Sequence, residues 1–269
     1  MPSVILLVAL FTFVIHFIDT LSYSTRLAGV RTGHIALATS LFYSLIIVSR
    51  TATVLQAPLL TKYVENAIFH NETLALKVNF RFIIFSATLA SLAAAVAIPT
   101  FHRLMARAIS KFKEMRSVPR VILAAISRGG VTSLTSETKL PSAASLKSIY
   151  NARGLPLCPI FLNVLVTAIQ AIGVLSAIYA GTLIASYRAT AITLSSAVNF
   201  VGTILYFIVV DPAVALMTDE TLTGKVSQGR LRRLVIFLVV GKIAGTLLSQ
   251  LLFLPAATFI SRLARAWPG

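Results

Sequence analysis

Residues 16–33 have the sequence H-F-I-D-T-L-S-Y-S-T-R-L-A-G-V-R-T-G and separate two uninterrupted apolar runs. A membrane hairpin needs only a short polar turn at such a place, but this stretch also contains Asp19, Arg26 and Arg31. On a helix, positions three or four residues apart share a face. Since polar groups are costly beside lipid, we expect the resulting polar stripe to face protein or a water-filled cavity. Its members are Thr12, His16, Asp19, Tyr23 and Arg26.

The composition is that of a polytopic membrane protein. Of the 269 residues, 57% are hydrophobic and 12% are charged, whereas about 25% of the residues of a soluble domain are charged. We therefore predict an all-α fold with about six transmembrane helices, the first of which is retained and not cleaved as a signal peptide. The six apolar segments cover residues 3–23, 35–57, 80–99, 159–185, 189–210 and 234–260.

The distribution of Lys and Arg predicts the orientation. Sixteen of the 24 basic residues lie in the connections after the first, third and fifth segments, and six lie in the other connections and near the C-terminus. Because cytoplasmic loops carry an excess of Lys and Arg, we place both termini outside. We divide the chain into a first three-helix membrane half (1–100), a basic cytoplasmic connection (101–157) and a second three-helix membrane half (158–269).

The cytoplasmic connection begins with an amphipathic pattern from Phe101 to Met115, in which basic residues occupy most positions between the apolar ones. This segment either lies along the inner leaflet, in contact with anionic lipids, or continues the third span and packs on protein. We expect residues 121–126 to dip into the membrane interface. Residues 129–145, which are rich in Ser, Thr and Gly, are expected to be mobile.

A faint internal similarity relates the two membrane halves. Aligning Arg31 with Arg188 also aligns Ile35 with Ile192. Three spans in each half would give a 3+3 inverted repeat, which many transporters share. Chance matches among apolar residues are the alternative explanation.

Charged residues at membrane depth are the candidates for function. Arg50 lies in the outer half of the second segment, Lys242 lies within the sixth, and Asp211 closes the fifth. Burying an Arg at mid-span costs about 2.5–3.5 kcal/mol, so an acid, backbone carbonyls, water or a bound anion must offset it. Cations exceed acids here, which indicates an anionic passenger such as a phosphate. The candidate substrate-binding residues are Arg26, Arg31, Arg50 and Lys242, and the candidate counter-charges or proton sites are Asp19 and Asp211.

Structural roles remain open for each of these residues. Asp19 could form a buried ion pair with Arg26 or Lys242, Arg50 could extend to the outer headgroups, and Asp211 could anchor a helix at the inner interface. Gln170 and Asn199 add polar groups near the middle of the fourth and fifth segments. Ordinary contacts within the helix bundle are the alternative role of His16, Asn199 and Gln250.

The sequence lacks the motifs of an enzyme. It has no His-Glu-x-x-His, Gly-x-Ser-x-Gly, phosphate loop or glycine-rich dinucleotide turn. With four His, eight acidic residues and a single cysteine, Cys158, a hydrolytic or metal site is hard to assemble, so we expect no cofactor and no metal. The net charge of +16 belongs to loops and not to a basic surface with interleaved aromatics, which argues against nucleic acid.

Five motifs carry a resemblance to a known family. The stretch from Ile18 to Gly33, together with V-S-R-T (Val48–Thr51) and Q-A-P (Gln56–Pro58), resembles the Amj-type alternate lipid II flippases of bacteria. Y-R-A-T-A-I (Tyr187–Ile192) and V-D-P-x-V-A-L (Val210–Leu216) resemble the matching motifs of the second half. The resemblance covers essentially the whole chain, and the first motif is the most specific.

The resemblance implies a flippase of the bacterial cytoplasmic membrane. Such proteins move lipid II, the undecaprenyl-pyrophosphate-linked peptidoglycan precursor, from the inner to the outer leaflet. We expect the pyrophosphate to bind in a cationic groove that opens sideways to lipid, with alternating access to the two leaflets. The alternatives are a transporter of another anionic polyprenyl-linked substrate, or a non-transporting membrane scaffold of cell-wall assembly.

Overall fold

Helices form nearly all of the described structure. The computed structural model describes residues 2–116 and 153–267, and no strand occurs within these two ranges. Six segments are long and apolar enough to cross a membrane, which confirms the predicted all-α fold with six spans. The helices are α1 (Pro2–Ser22), α2 (Ser24–Thr32), α3 (Ile35–Phe69), α4 (Leu76–Met115), α5 (Leu157–Leu183), α6 (Arg188–Leu205), α7 (Asp211–Leu222) and α8 (Gln228–Ala266).

Several helices extend well beyond the predicted apolar segments. Helices α3, α4 and α8 have 35, 40 and 39 residues, because a helix continues where one of its faces becomes polar. The amphipathic pattern that starts at Phe101 belongs to α4, and Ile109 is fully buried there against Ala28 and Ala38. At this point the segment packs on protein. The expectations for residues 121–126 and 129–145 lie outside the described residues.

The stretch from His16 to Gly33 forms the end of α1, all of α2 and a tight turn. Gly33 closes α2 in the left-handed conformation, with φ of 74°, which only glycine adopts without strain. Its backbone N–H donates to the carbonyl of Val30, and that of His34 donates to the carbonyl of Gly29. The turn lets α2 pack against both α3 and α4, so that Arg26 lies inside the protein.

The two halves of the chain pack in the same order. Helix α1 contacts α3 and α4, and α5 contacts α6 and α8. Contacts between α4 and α8 join the halves, with the rings of Phe80 and Phe253 stacked at 5.7 Å between centroids. The orientation of the termini and the inverted repeat remain predictions.

Helix α3 and the fifth span (residues 185–222) are the most exposed spans. Only 17% of the apolar part of α3 and 28% of that of the fifth span is buried, against 44% to 56% in the other four. The two spans make few contacts with each other. They meet at Tyr43 and Phe207, whose ring centroids are 6.1 Å apart. Helices α3 and α6 therefore pack only loosely against each other, and we call the boundary between them the gap between α3 and α6.

Gly245 sets the spacing between α8 and α5. A Cβ atom there would lie 2.6 Å from the carbonyl oxygen of Val164 and 2.7 Å from the Cβ of Thr167. We expect Gly245→Ala to destabilise the protein by about 1–3 kcal/mol, because the two helices must separate. The measurement is the thermal midpoint of the purified protein. Gly229→Ala is the matched control in α8, since its nearest neighbour is 4.0 Å away. Equal midpoints for the two variants would contradict the expectation.

Candidate functional site

Three charged side chains from three spans meet inside the membrane region. Asp19 Oδ2 of α1 lies 3.3 Å from Arg50 Nη2 of α3 and 3.5 Å from Lys242 Nζ of α8. Arg50 and Lys242 both lie about 20 Å along their helices from the first residue, near mid-span. We call these three residues the mid-span triad. One acid faces two cations, so the triad carries an excess of one positive charge.

Arg50 links the two halves of the chain. Its Nη2 also donates to Oε1 of Gln170 in α5, at 3.2 Å. The side chain of Arg50 is 39% exposed, whereas those of Asp19 and Lys242 are 4% and 8% exposed. Arg50 is thus the most exposed member of the mid-span triad.

A second ion pair lies toward the predicted cytoplasmic side. Arg26 Nη2 of α2 is 2.5 Å from Asp211 Oδ1. The Tyr43 hydroxyl donates to Asp211 Oδ2 at 2.8 Å, and Arg26 Nη1 donates to Thr39 Oγ1 at 3.1 Å. The Arg26 guanidinium also lies 4.7 Å from the ring centroid of Phe42, a favourable cation–π distance. This pair has no net charge and every contact serves to hold α2, α3 and α7 together.

A π-helical turn places Asp211 at this pair. Residues Tyr206–Val210 form the turn, directly between α6 and α7. Pro212 follows Asp211 and has no backbone N–H to continue a regular α-helical ladder. A π turn is wider than an α turn and rotates the residues that follow it. The sequence V-D-P therefore directs the carboxylate toward Arg26.

Tyr23 and Asn163 lie beside Lys242. The Tyr23 hydroxyl donates to Asn163 Oδ1 at 2.6 Å, and Asn163 Nδ2 donates to the carbonyl of Leu238 at 2.9 Å. The Lys242 ammonium lies 5.7 Å from the ring centroid of Tyr23. The sequence analysis did not identify Asn163. The signal for it was an amide seven residues before Gln170, in the mostly apolar fourth segment.

Two small cavities, each about 30 Å³, meet at the mid-span triad. Each has room for about two water molecules. Asp19, Arg50 and Gln170 line both cavities, so their side chains separate one from the other. We call the cavity nearer the predicted cytoplasmic side the inner cavity and the other the outer cavity. The inner cavity is also lined by Tyr23, Asn163, Thr203, Tyr206, Phe207 and Lys242, and the outer cavity by Thr12, His16, Thr53 and Gln56.

The inner cavity lies beside the gap between α3 and α6. Ile46 and Arg50 line it from α3, and Thr203 lines it from α6. Phe207 borders it from the π turn and is 40% exposed. The inner cavity, which reaches Arg50, therefore lies next to the gap between the two most exposed spans.

The predicted site residues fall into two clusters and one separate position. Asp19 pairs with Lys242 and not with Arg26, and Arg50 reaches inward to Asp19 instead of outward to the headgroups. Asp211 anchors α7 to α2 through Arg26. Arg31 is exposed at the end of α2 and belongs to neither cluster.

Comparisons with known proteins give a consistent result. A family model described as Amj, alternate to MurJ, matches residues 11–264. The chain is 36% identical over 262 residues to a protein named lipid II flippase Amj from Bacillus subtilis (strain 168), an alignment that covers 97% of each chain. No solved structure matches. Together with the six spans, this similarity identifies a multi-pass protein of the bacterial cytoplasmic membrane.

Proposed function

We propose that this chain, which belongs to the Amj family, is a flippase that moves lipid II from the inner to the outer leaflet. It transports the precursor without catalysing a chemical reaction on it. The observation that carries the proposal is the mid-span triad, a net positive site that lies beside a lateral gap. The name of the Bacillus subtilis relative, lipid II flippase Amj, suggests the substrate.

The chemistry of the mid-span triad suits a diphosphate. Arg presents several N–H donors in a planar fork that matches phosphate oxygens, and Lys adds a compact charge. Arg50 and Lys242 contact the same carboxylate oxygen of Asp19, so both cations converge on a single anionic group. We propose that the diphosphate of lipid II takes the place of that carboxylate oxygen during transport.

The gap between α3 and α6 supports a lateral path for the lipid tail. The disaccharide and peptide of lipid II need a polar path, whereas its polyprenyl chain is stable only in hydrocarbon. A cavity of about 30 Å³ is far too small for this head group. We therefore propose that α3 and α6 separate to admit the head group while the tail remains outside, and that the structure described here is a closed state.

The remaining predicted residues take different parts in this proposal. Arg31 is exposed at the predicted cytoplasmic entrance and would attract the diphosphate and anionic lipids there. Arg26 would support the path indirectly, because its guanidinium is already committed to Asp211, Thr39 and Phe42.

The proposal predicts that the chain alone can sustain lipid II export. In bacteria whose principal lipid II flippase can be depleted, we expect expression of this chain to restore growth and to restore surface-exposed lipid II. An empty vector is the control. Growth failure with a normal membrane level of the protein would contradict the proposal, and rescue without surface-exposed lipid II would indicate an indirect role in wall assembly.

A further inference from the structure

Two buried polar atoms at the outer cavity have no partner. Asp19 is 4% exposed and His16 is 6% exposed. Within the described residues, neither Asp19 Oδ1 nor His16 Nδ1 has a hydrogen-bond partner. Both residues line the outer cavity and lie three positions apart on α1, on the same helix face. A buried polar atom without a partner is costly, so this pair is suited to receive something that the closed state lacks.

The two carboxylate oxygens of Asp19 have different surroundings. Oδ2 contacts both Arg50 of α3 and Lys242 of α8. The titratable groups that face the carboxyl group are His16 of α1, Tyr23 at the junction of α1 and α2, Arg50, Lys242 and Tyr206 of the π turn. The Ser49 hydroxyl lies nearby but donates to the backbone carbonyl of Ile15 at 3.4 Å. Oδ1 is therefore the carboxylate oxygen of Asp19 that has no hydrogen-bond partner.

Charge balance indicates that the ligand of Oδ1 is a proton. A diphosphate that joins two organic groups carries two negative charges, which Arg50 and Lys242 together neutralise. Once both cations have turned to the diphosphate, the Asp19 carboxylate becomes a buried charge without a partner. Such a charge is expensive in a low-dielectric interior, and the usual outcome is that the group binds a proton.

We propose that Asp19 takes up one proton, through the outer cavity, when the diphosphate of lipid II binds to Arg50 and Lys242. The proton comes from water, passes His16 and forms an O–H bond at Asp19 Oδ1, which converts the carboxylate to a neutral carboxyl group. The two ion pairs of Asp19 are exchanged for two ion pairs with the diphosphate. This inference rests on the proposed function, and it names the proton as the ion that binds together with the substrate.

The test measures binding and proton uptake in the same sample. Farnesyl-chain lipid II is added to the purified protein in lightly buffered lipid nanodiscs, with a pH indicator dye in the solution. We expect about one proton to be taken up per bound ligand by the original chain, after subtraction of the signal from Asp19→Asn. That variant should bind the ligand at least as tightly, because Asn no longer competes for Arg50 and Lys242.

A second measurement does not depend on any variant. The infrared difference spectrum of the original chain should gain the carbonyl band of a protonated carboxyl group when the ligand binds. Binding without this band, or equal proton uptake by the original chain and Asp19→Asn, would overturn the inference and leave the proposed function intact. The absence of binding by the folded original chain would instead overturn the diphosphate site itself.

His16 has a more specific expectation. His16→Gln should leave the number of protons taken up unchanged but slow their uptake in a stopped-flow experiment, because the relay is lost and the carboxyl group remains. Thr53→Ala, in the same outer cavity, is the matched control and should keep the original rate. An unchanged rate in His16→Gln would exclude the relay.

Discussion

Arg50→Ala is expected to reduce lipid II movement by about 10- to 100-fold, since a charge-assisted hydrogen bond to a phosphate contributes about 1.5–3 kcal/mol. The substitution removes the guanidinium that bridges Asp19 and Gln170. Lys242 still pairs with Asp19, so no buried acid is left without a partner. The protein should therefore fold and insert normally. The measurement is the appearance of lipid II in the outer leaflet of proteoliposomes.

Two further variants sharpen this prediction. Arg50→Lys should recover only part of the activity, because one ammonium group cannot reproduce the planar fork of a guanidinium. Lys62→Ala, an exposed cation on the same helix, should retain full activity and controls for the loss of one positive charge. If Arg50→Ala and Lys62→Ala transport equally well, the mid-span triad is not the diphosphate site.

Arg26→Met is expected to have the largest effect on stability. Arg26 is 2% exposed, and its guanidinium is the cation that pairs with the buried Asp211. Removing one partner of a buried ion pair leaves an uncompensated charge and costs about 3–5 kcal/mol. Tyr43 still donates one hydrogen bond to Asp211, but it cannot neutralise the charge. The measurements are the thermal midpoint and the yield of monodisperse protein.

The double variant separates charge from packing. Arg26→Met combined with Asp211→Asn removes both charges and should recover most of the lost stability, because nearly isosteric neutral replacements of a buried pair are often well tolerated. Arg31→Ala removes an exposed cation from the same helix, one turn and a half further on, and should leave the midpoint unchanged. Equal loss in the single and double variants would show that Arg26 acts through packing alone.

The apolar segments predicted the spans well and their ends poorly. Hydrophobic length determines how much chain can cross a bilayer, so all six spans could be identified from the sequence. Helix ends depend on tertiary contacts as well. Basic residues recur in the segment after Phe101, yet α4 continues through it because Ile109 is buried against α2 and α3.

At the candidate site, too, local features could be predicted from the sequence and features that depend on tertiary contacts could not. Helical spacing correctly brought Asp19, His16 and Tyr23 to one face of the first span, since that relation is local. Arg50 and Tyr43 likewise share a face of α3, and both reach buried acids. Gln170 was noted only as a polar group of its span and Asn163 was not noted, because an amide in an apolar helix has the same local pattern whether or not it lies at a site.

What the sequence determined by itself was an all-helical membrane protein, its six spans, its family and the polar stripe from Thr12 to Arg26. Only the tertiary structure decided which residues form ion pairs with each other, both within that stripe and between it and the other spans. Asp19 pairs with Arg50 and Lys242, and Arg26 pairs with Asp211. The physical reason is that an ion pair forms over a few ångströms. Those distances depend on how spans far apart in the chain are rotated and packed, which no local periodicity encodes.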